Sequence, residues 1–115
     1  SGKWGREITL DIGNPLRIKG SRGKDFVDIL LPDELYRGLR KLKSGDIVFF
    51  MKNPEERKRG EMVGHIGILK VEQDQEVYLI HASGTKERGG MVKKVLLKDY
   101  VSQMPFIGVK ITRIH

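Results

Sequence analysis

Cysteine is absent from the 115 residues. That single absence removes disulfide bridges, thiolate metal ligands and thiol nucleophiles together. Aromatic residues are scarce, 7% of the chain with one tryptophan. They are not interleaved with basic residues in the pattern that stacks nucleotide bases, which disfavours a small nucleic-acid-binding β-domain. No apolar run approaches the roughly 18 residues that a membrane-crossing helix needs, and no basic-then-apolar N-terminal stretch marks an export signal. Internal repeats, low-complexity tracts and linkers are missing as well, so residues 1–115 read as a single domain. Ser1-Gly2 has the look of a cloning scar, which fits an excised piece of a longer protein.

What is present is a globular balance, 38% apolar and 32% charged residues. Lys and Arg number 22 against 15 Asp and Glu, a formal charge of +7 that attracts polyanions. The plainer account of the same charge is a basic surface of thermophile type, rich in Lys, Glu, Ile and Val. Lys52, Arg57, Lys58 and Arg59 form one basic loop, with Lys86 and Arg88 on another. Both loops could grip an anionic polymer, although a merely solvated loop is the favoured account.

The apolar periodicity gives an α+β domain dominated by an antiparallel sheet or partly open barrel with two short helices. Residues 1–31 read as strands and loops, with Trp4 to Ile12 as an edge strand and Phe26 to Leu31 as a second strand. Leu35, Leu39 and Leu42 recur at i, i+4 and i+7, a helical stripe that starts near Asp33 and is stopped by Ser44-Gly45. Asp46 to Met51 is a continuous apolar run, predicted to be a strand buried on both faces at the centre of the core. A short strand from Met91, a helix from Leu97 to Met104 and an alternating terminal strand at Ile107, Val109 and Ile111 complete the chain.

Two of the three histidines open and close one hairpin. His65 lies in Met62 to Leu69, His81 in Val77 to Ser83, and the polar Glu72 to Glu76 turns the chain between them. Centred on Gln73, the hairpin sets the two imidazoles opposite each other on one face, close enough for one ring to orient the other. Gly64 and Gly67 flank His65, and glycine within a strand marks a bulge or the close approach of a ligand or neighbouring element. Ser83 stands two residues beyond His81, but Gly84 and Thr85 after it are turn chemistry and not a nucleophile elbow. His115 is the third histidine, and its spacing from the others matches no zinc pattern, so neither metal nor cofactor is implied.

Taken as a set, Leu42 to Phe50, Gly64-His65-Ile66-Gly67-Ile68 and Leu79-Ile80-His81-Ala82-Ser83 resemble the second half of the NlpC superfamily of papain-like cell-wall peptidases and amidases. Phe106 to Arg113 is most similar to its N-acetylmuramoyl-L-alanine amidase-like branch. The resemblance covers about residues 33–114 and makes residues 32–115 an NlpC-like β-half. It implies hydrolysis of peptide or amide bonds in peptidoglycan, with His65 as base, His81 as orienting residue, Gly64 and Ser83 beside the substrate, and a location in the cell envelope or outside the cell. It also implies a cysteine nucleophile on a preceding helix, and this chain has none. A chain that begins after the catalytic helix, a binding protein without a nucleophile, and a permuted relative each account for the gap. The first predicts an uncovered apolar strip beside the Asp46 to Met51 and His65 to Leu69 strands. The second makes the chain a non-catalytic module for an anionic cell-wall polymer.

Overall fold

The computed structural model describes residues 5–20, 25–56, 61–84 and 89–114. Trp4, Arg57, Lys58, Arg59, Lys86, Arg88 and His115, all singled out above, lie outside the described residues. The chain is α+β, as its periodicity predicts. In order it forms β1 (Gly5–Glu7), α1 (Thr9–Ile12), β2 (Leu16–Lys19), β3 (Phe26–Ile29), α2 (Pro32–Arg37), β4 (Ile47–Met51), β5 (Val63–Val71), β6 (Val77–Ser83), β7 (Met91–Leu96), α3 (Leu97–Gln103) and β8 (Gly108–Ile114). Six strands make an open antiparallel sheet in the order β1-β8-β4-β5-β6-β7, and β2 and β3 pair separately as a hairpin. A bridge from Leu30 to Val109 ties that hairpin to the sheet.

Three expectations are corrected. The edge strand expected from Trp4 to Ile12 ends at Glu7, and Thr9–Ile12 is one helical turn. Ile8 and Ile12 are buried while Leu10 is 62% exposed, so the apolar spacing that reads as alternation is satisfied at i, i+4 instead. The helix expected from Asp33 to Ser44-Gly45 stops at Arg37 and resumes as a 3₁₀ turn over Leu39–Lys41. Gly38 breaks it: a Cβ there would sit 2.3 Å from the Ile12 carbonyl oxygen, so the chain bends where α1 presses on it. The described residues thus hold three α-helices, one more than expected. Finally, β4 is not buried on both faces. Val48 and Phe50 are fully buried, but Ile47 and Phe49 are half-buried because the outer face of the sheet is open to solvent around them.

Pleating divides the sheet into two faces. Val48, Phe50, Leu69, Leu79, Val109 and Ile111 point inward and pack against Ile8 before α1 and Ile12 within it, Leu35 of α2, and Leu97 and Val101 of α3. Ile47, Ile66, Ile68, Ile80, Ala82 and Val92 line a shallow outer groove of about 370 Å³. Ile66 and Ile68 are each 50% exposed.

Gly45, at φ 93°, and Asp46 turn the chain into β4. The buried Asp46 carboxylate accepts from the Lys43 amide at 2.8 Å, as its position after a turn glycine predicts. It also accepts from Arg113 Nε and Nη2 of β8 at 2.8 and 2.9 Å, and Nη2 donates further to the Lys41 carbonyl at 3.0 Å.

Candidate functional site

The hairpin that carries both histidines turns through Gln73, Asp74 and Gln75. The Gln75 amide donates to the Glu72 carbonyl at 2.9 Å and Gln75 itself sits at φ 70°, the type I turn with a left-handed residue that serves a three-residue loop. The ladder from Val71↔Val77 to Ile68↔Ile80 is therefore centred on Asp74, one residue later than the symmetric reading of the polar segment suggests. Moving the centre by one residue changes the register by two, which preserves the faces. His65 and His81 share the inner face, but as diagonal neighbours rather than directly opposed ones. Diagonal pairs lie roughly 7–8 Å apart, still within reach of aromatic side chains. The rings close that gap, with centroids 5.0 Å apart and nearly perpendicular, and His65 Nε2 meets His81 Nδ1 at 2.9 Å.

Three further rings surround His65. Tyr100 of α3 stacks on it at 5.8 Å and 24°, Phe106 lies parallel at 6.5 Å, and Phe50 of β4 approaches to 5.8 Å. Tyr100 also meets His81 edge-on at 5.1 Å. Such contacts fix ring planes beyond what burial alone does. The two glycines beside His65 are explained by this crowding: a Cβ on Gly64 would lie 2.3 Å from the Phe106 ring, and one on Gly67 2.3 Å from Leu79 Cδ1. Ser83, half-buried, ends β6 opposite Met91 on the face that His81 occupies.

The contact between the imidazoles has two tautomeric forms. If His65 donates from Nε2, its Nδ1 is left as an unprotonated nitrogen able to accept a proton. If His81 donates from Nδ1, His65 carries its own proton on Nδ1 and accepts nothing there. Only the first form makes His65 a base. Neither His65 Nδ1 nor the Tyr100 hydroxyl has a hydrogen-bond partner among the described residues. Burial holds the Tyr100 phenol above its usual range, so it stays protonated as a donor. Among the described residues there is no group of three or more His, Asp or Glu side chains placed to hold a metal.

His81 is held below the usual imidazole range, first by burial and then by the charge of His65, with a smaller effect from Lys93 and a partial offset from the Ala82 backbone. Below the ordinary value near 6.5, the unfolded chain binds a proton at His81 that the folded protein refuses until its own, lower value is reached. The unfolded state then binds more protons, so the stability held above 6.5 is lost as pH falls through that window. The urea midpoint is expected to drop between pH 7.5 and pH 5, and to drop less in His81→Gln. An equal drop in both proteins would remove His81 as the cause.

Sequence reasoning found both histidines and their common face. It placed Phe50 in the core, Tyr100 on a helix and Phe106 in the terminal motif, and missed that the three converge on His65. The only available signal was the helical spacing of Leu97, Tyr100, Val101 and Met104, which gives a buried face without saying what lies beneath it. No protein-family model matches the chain, and no curated protein or solved structure matches it significantly.

Proposed function

We propose that the chain supplies the base and the orienting residue of a papain-like acyl-transfer hydrolase acting on peptide or amide bonds of peptidoglycan in the cell envelope. His65 is the base through Nδ1. His81, kept neutral by burial, accepts from His65 Nε2–H and holds the ring in the reactive tautomer. The sulfur nucleophile comes from outside the residues of this chain, which has no cysteine. The 2.9 Å contact carries this reading, because it engages one nitrogen of His65 and leaves the other for proton transfer. The aromatic walls of Tyr100 and Phe106 stand beside that ring, with Gly64 and Ser83 as the nearby backbone and hydroxyl for substrate.

Chemical rescue tests the proposal. An aryl ester of a muropeptide is mixed with the protein and a small thiol. The thiol sulfur bonds to the acyl carbon, its proton passes to His65 Nδ1, and the aryl oxygen leaves. A general base contributes about a hundredfold or more, so thiolysis should accelerate by about that factor, vanish in His65→Ala and weaken in His81→Ala. Without thiol, muropeptides should remain intact. Acceleration that survives His65→Ala would sink the proposal. Salt-sensitive binding of a teichoic-acid-like polymer by a stable monomer, unchanged in the His65→Ala, His81→Ala double variant, would favour the polymer-binding module.

A further inference from the structure

Among the described residues the sheet ends at β7, whose six residues pair with β6 from Tyr78↔Leu96 to Ser83↔Met91 and with no other strand. Among the described residues, the backbone groups on its other side make no hydrogen bond. An edge of this length is a template for another strand, and proteins commonly protect it with lysine. Here two lysines sit at its middle. Lys94 is engaged by Glu72 and lies over the Tyr78 ring, on the outer face. Lys93 faces the other way, opposite His81, exposed and with no ion-pair partner among the described residues. Met91 and Val92 beside it are 63% and 75% exposed.

These features select the kind of strand that fits. A second copy is disfavoured by charge: antiparallel self-pairing about the middle of β7 would bring Lys93 and Lys94 of one copy against those of the other, and like charges across a strand pair are destabilising. A strand with a carboxylate facing Lys93 and an apolar residue facing Val92 meets complementary groups on both faces, because successive residues alternate. We propose that β7 is a docking edge for an acidic, extended segment of a partner polypeptide, held by backbone pairing and by one carboxylate on Lys93. The proposal does not depend on the acyl-transfer reading, and β7 lies between the docked strand and His81.

The test uses the whole chain labelled with ¹⁵N and the peptide acetyl-Val-Thr-Glu-Val-Thr-amide. Binding should shift the amides of residues 91–96 and the His81 imidazole. Exposed ion pairs are individually weak, so Lys93→Gln should reduce affinity roughly threefold and Lys93→Glu further. Glutamine in place of the peptide's glutamate should match the Lys93→Gln loss, and N-methylation of alternate peptide amides should abolish binding. Three results overturn the proposal: shifts confined to other surfaces, indifference to both charge changes, or undiminished binding of the N-methylated peptide. A muropeptide that shifts His65 and Tyr100 but leaves 91–96 unmoved, where the acidic peptide also leaves them unmoved, overturns the docking edge and leaves the acyl-transfer reading standing.

Discussion

Replacing Asp46 by alanine is expected to cost about 3 kcal/mol of folding stability, near the lower end of the range for breaking a buried ion pair. Asp46 is 1% exposed and satisfies three donors, the Lys43 amide and two nitrogens of Arg113. Its removal leaves the guanidinium with only the Lys41 carbonyl and leaves the Lys43 amide without its acceptor. Arg113 keeps 25% of its side chain in contact with solvent, which lets water recover part of the loss and sets the estimate at the low end. Against a total stability of about 5–15 kcal/mol for an ordinary domain, this is a large fraction. Urea denaturation of the wild type, Asp46→Ala, Arg113→Ala and the double variant closes a thermodynamic cycle. The double variant should cost less than the two singles together, since either single already breaks the pair. A loss below about 1 kcal/mol in Asp46→Ala, the net worth of an ordinary hydrogen bond, would show that the pair holds nothing together.

The second large effect is at Phe50, where core and site meet. Its side chain is fully buried at the centre of the sheet, and its ring lies 4.9 Å from Tyr100, 5.8 Å from His65 and 6.0 Å from Phe106. Phe50→Ala should cost about 3–5 kcal/mol, as large truncations in a packed core do. Phe50→Leu separates the two roles, because it keeps much of the apolar volume but loses the flat wall. It should cost about 1–2 kcal/mol while visibly moving the His65 imidazole resonances. Unchanged His65 resonances in a folded Phe50→Leu protein would mean that the ring packs the core without positioning the base.

These two residues also mark where the sequence is legible and where it is not. Asp46 reads as a turn residue because its partner in the turn, the Lys43 amide, is three residues away. Arg113 is 67 residues distant, and nothing in the order of residues couples them. The strands from β4 to β7 are legible for the same reason, since each pairs with its chain neighbour. The hairpin register is nearly so: the polar segment locates the turn, but the left-handed Gln75 that shifts its centre to Asp74 cannot be read from composition. The helix broken at Gly38 fails differently. Its leucine stripe is genuine, and what interrupts it is the Ile12 carbonyl, a neighbour supplied only by the tertiary fold. The histidine pair is visible because period-two alternation preserves faces, whereas the aromatic rings around it arrive from β4, α3 and the segment before β8.

The strand order has a consequence for the sequence of events in synthesis. Neighbouring strands from β4 to β7 close short loops, while β8 must insert between β1 and β4, partners far away along the chain. Local pairings form at small entropic cost and distant ones late. A nascent chain emerging N-terminus first can therefore assemble the histidine hairpin before β8 has left the ribosome. What it lacks until then is Arg113, and with it the clasp on Asp46 that fixes the start of β4. A ribosome stalled with residues 108–114 still in its exit tunnel would hold a protein with its two imidazoles already on one face and β1 not yet joined to the sheet.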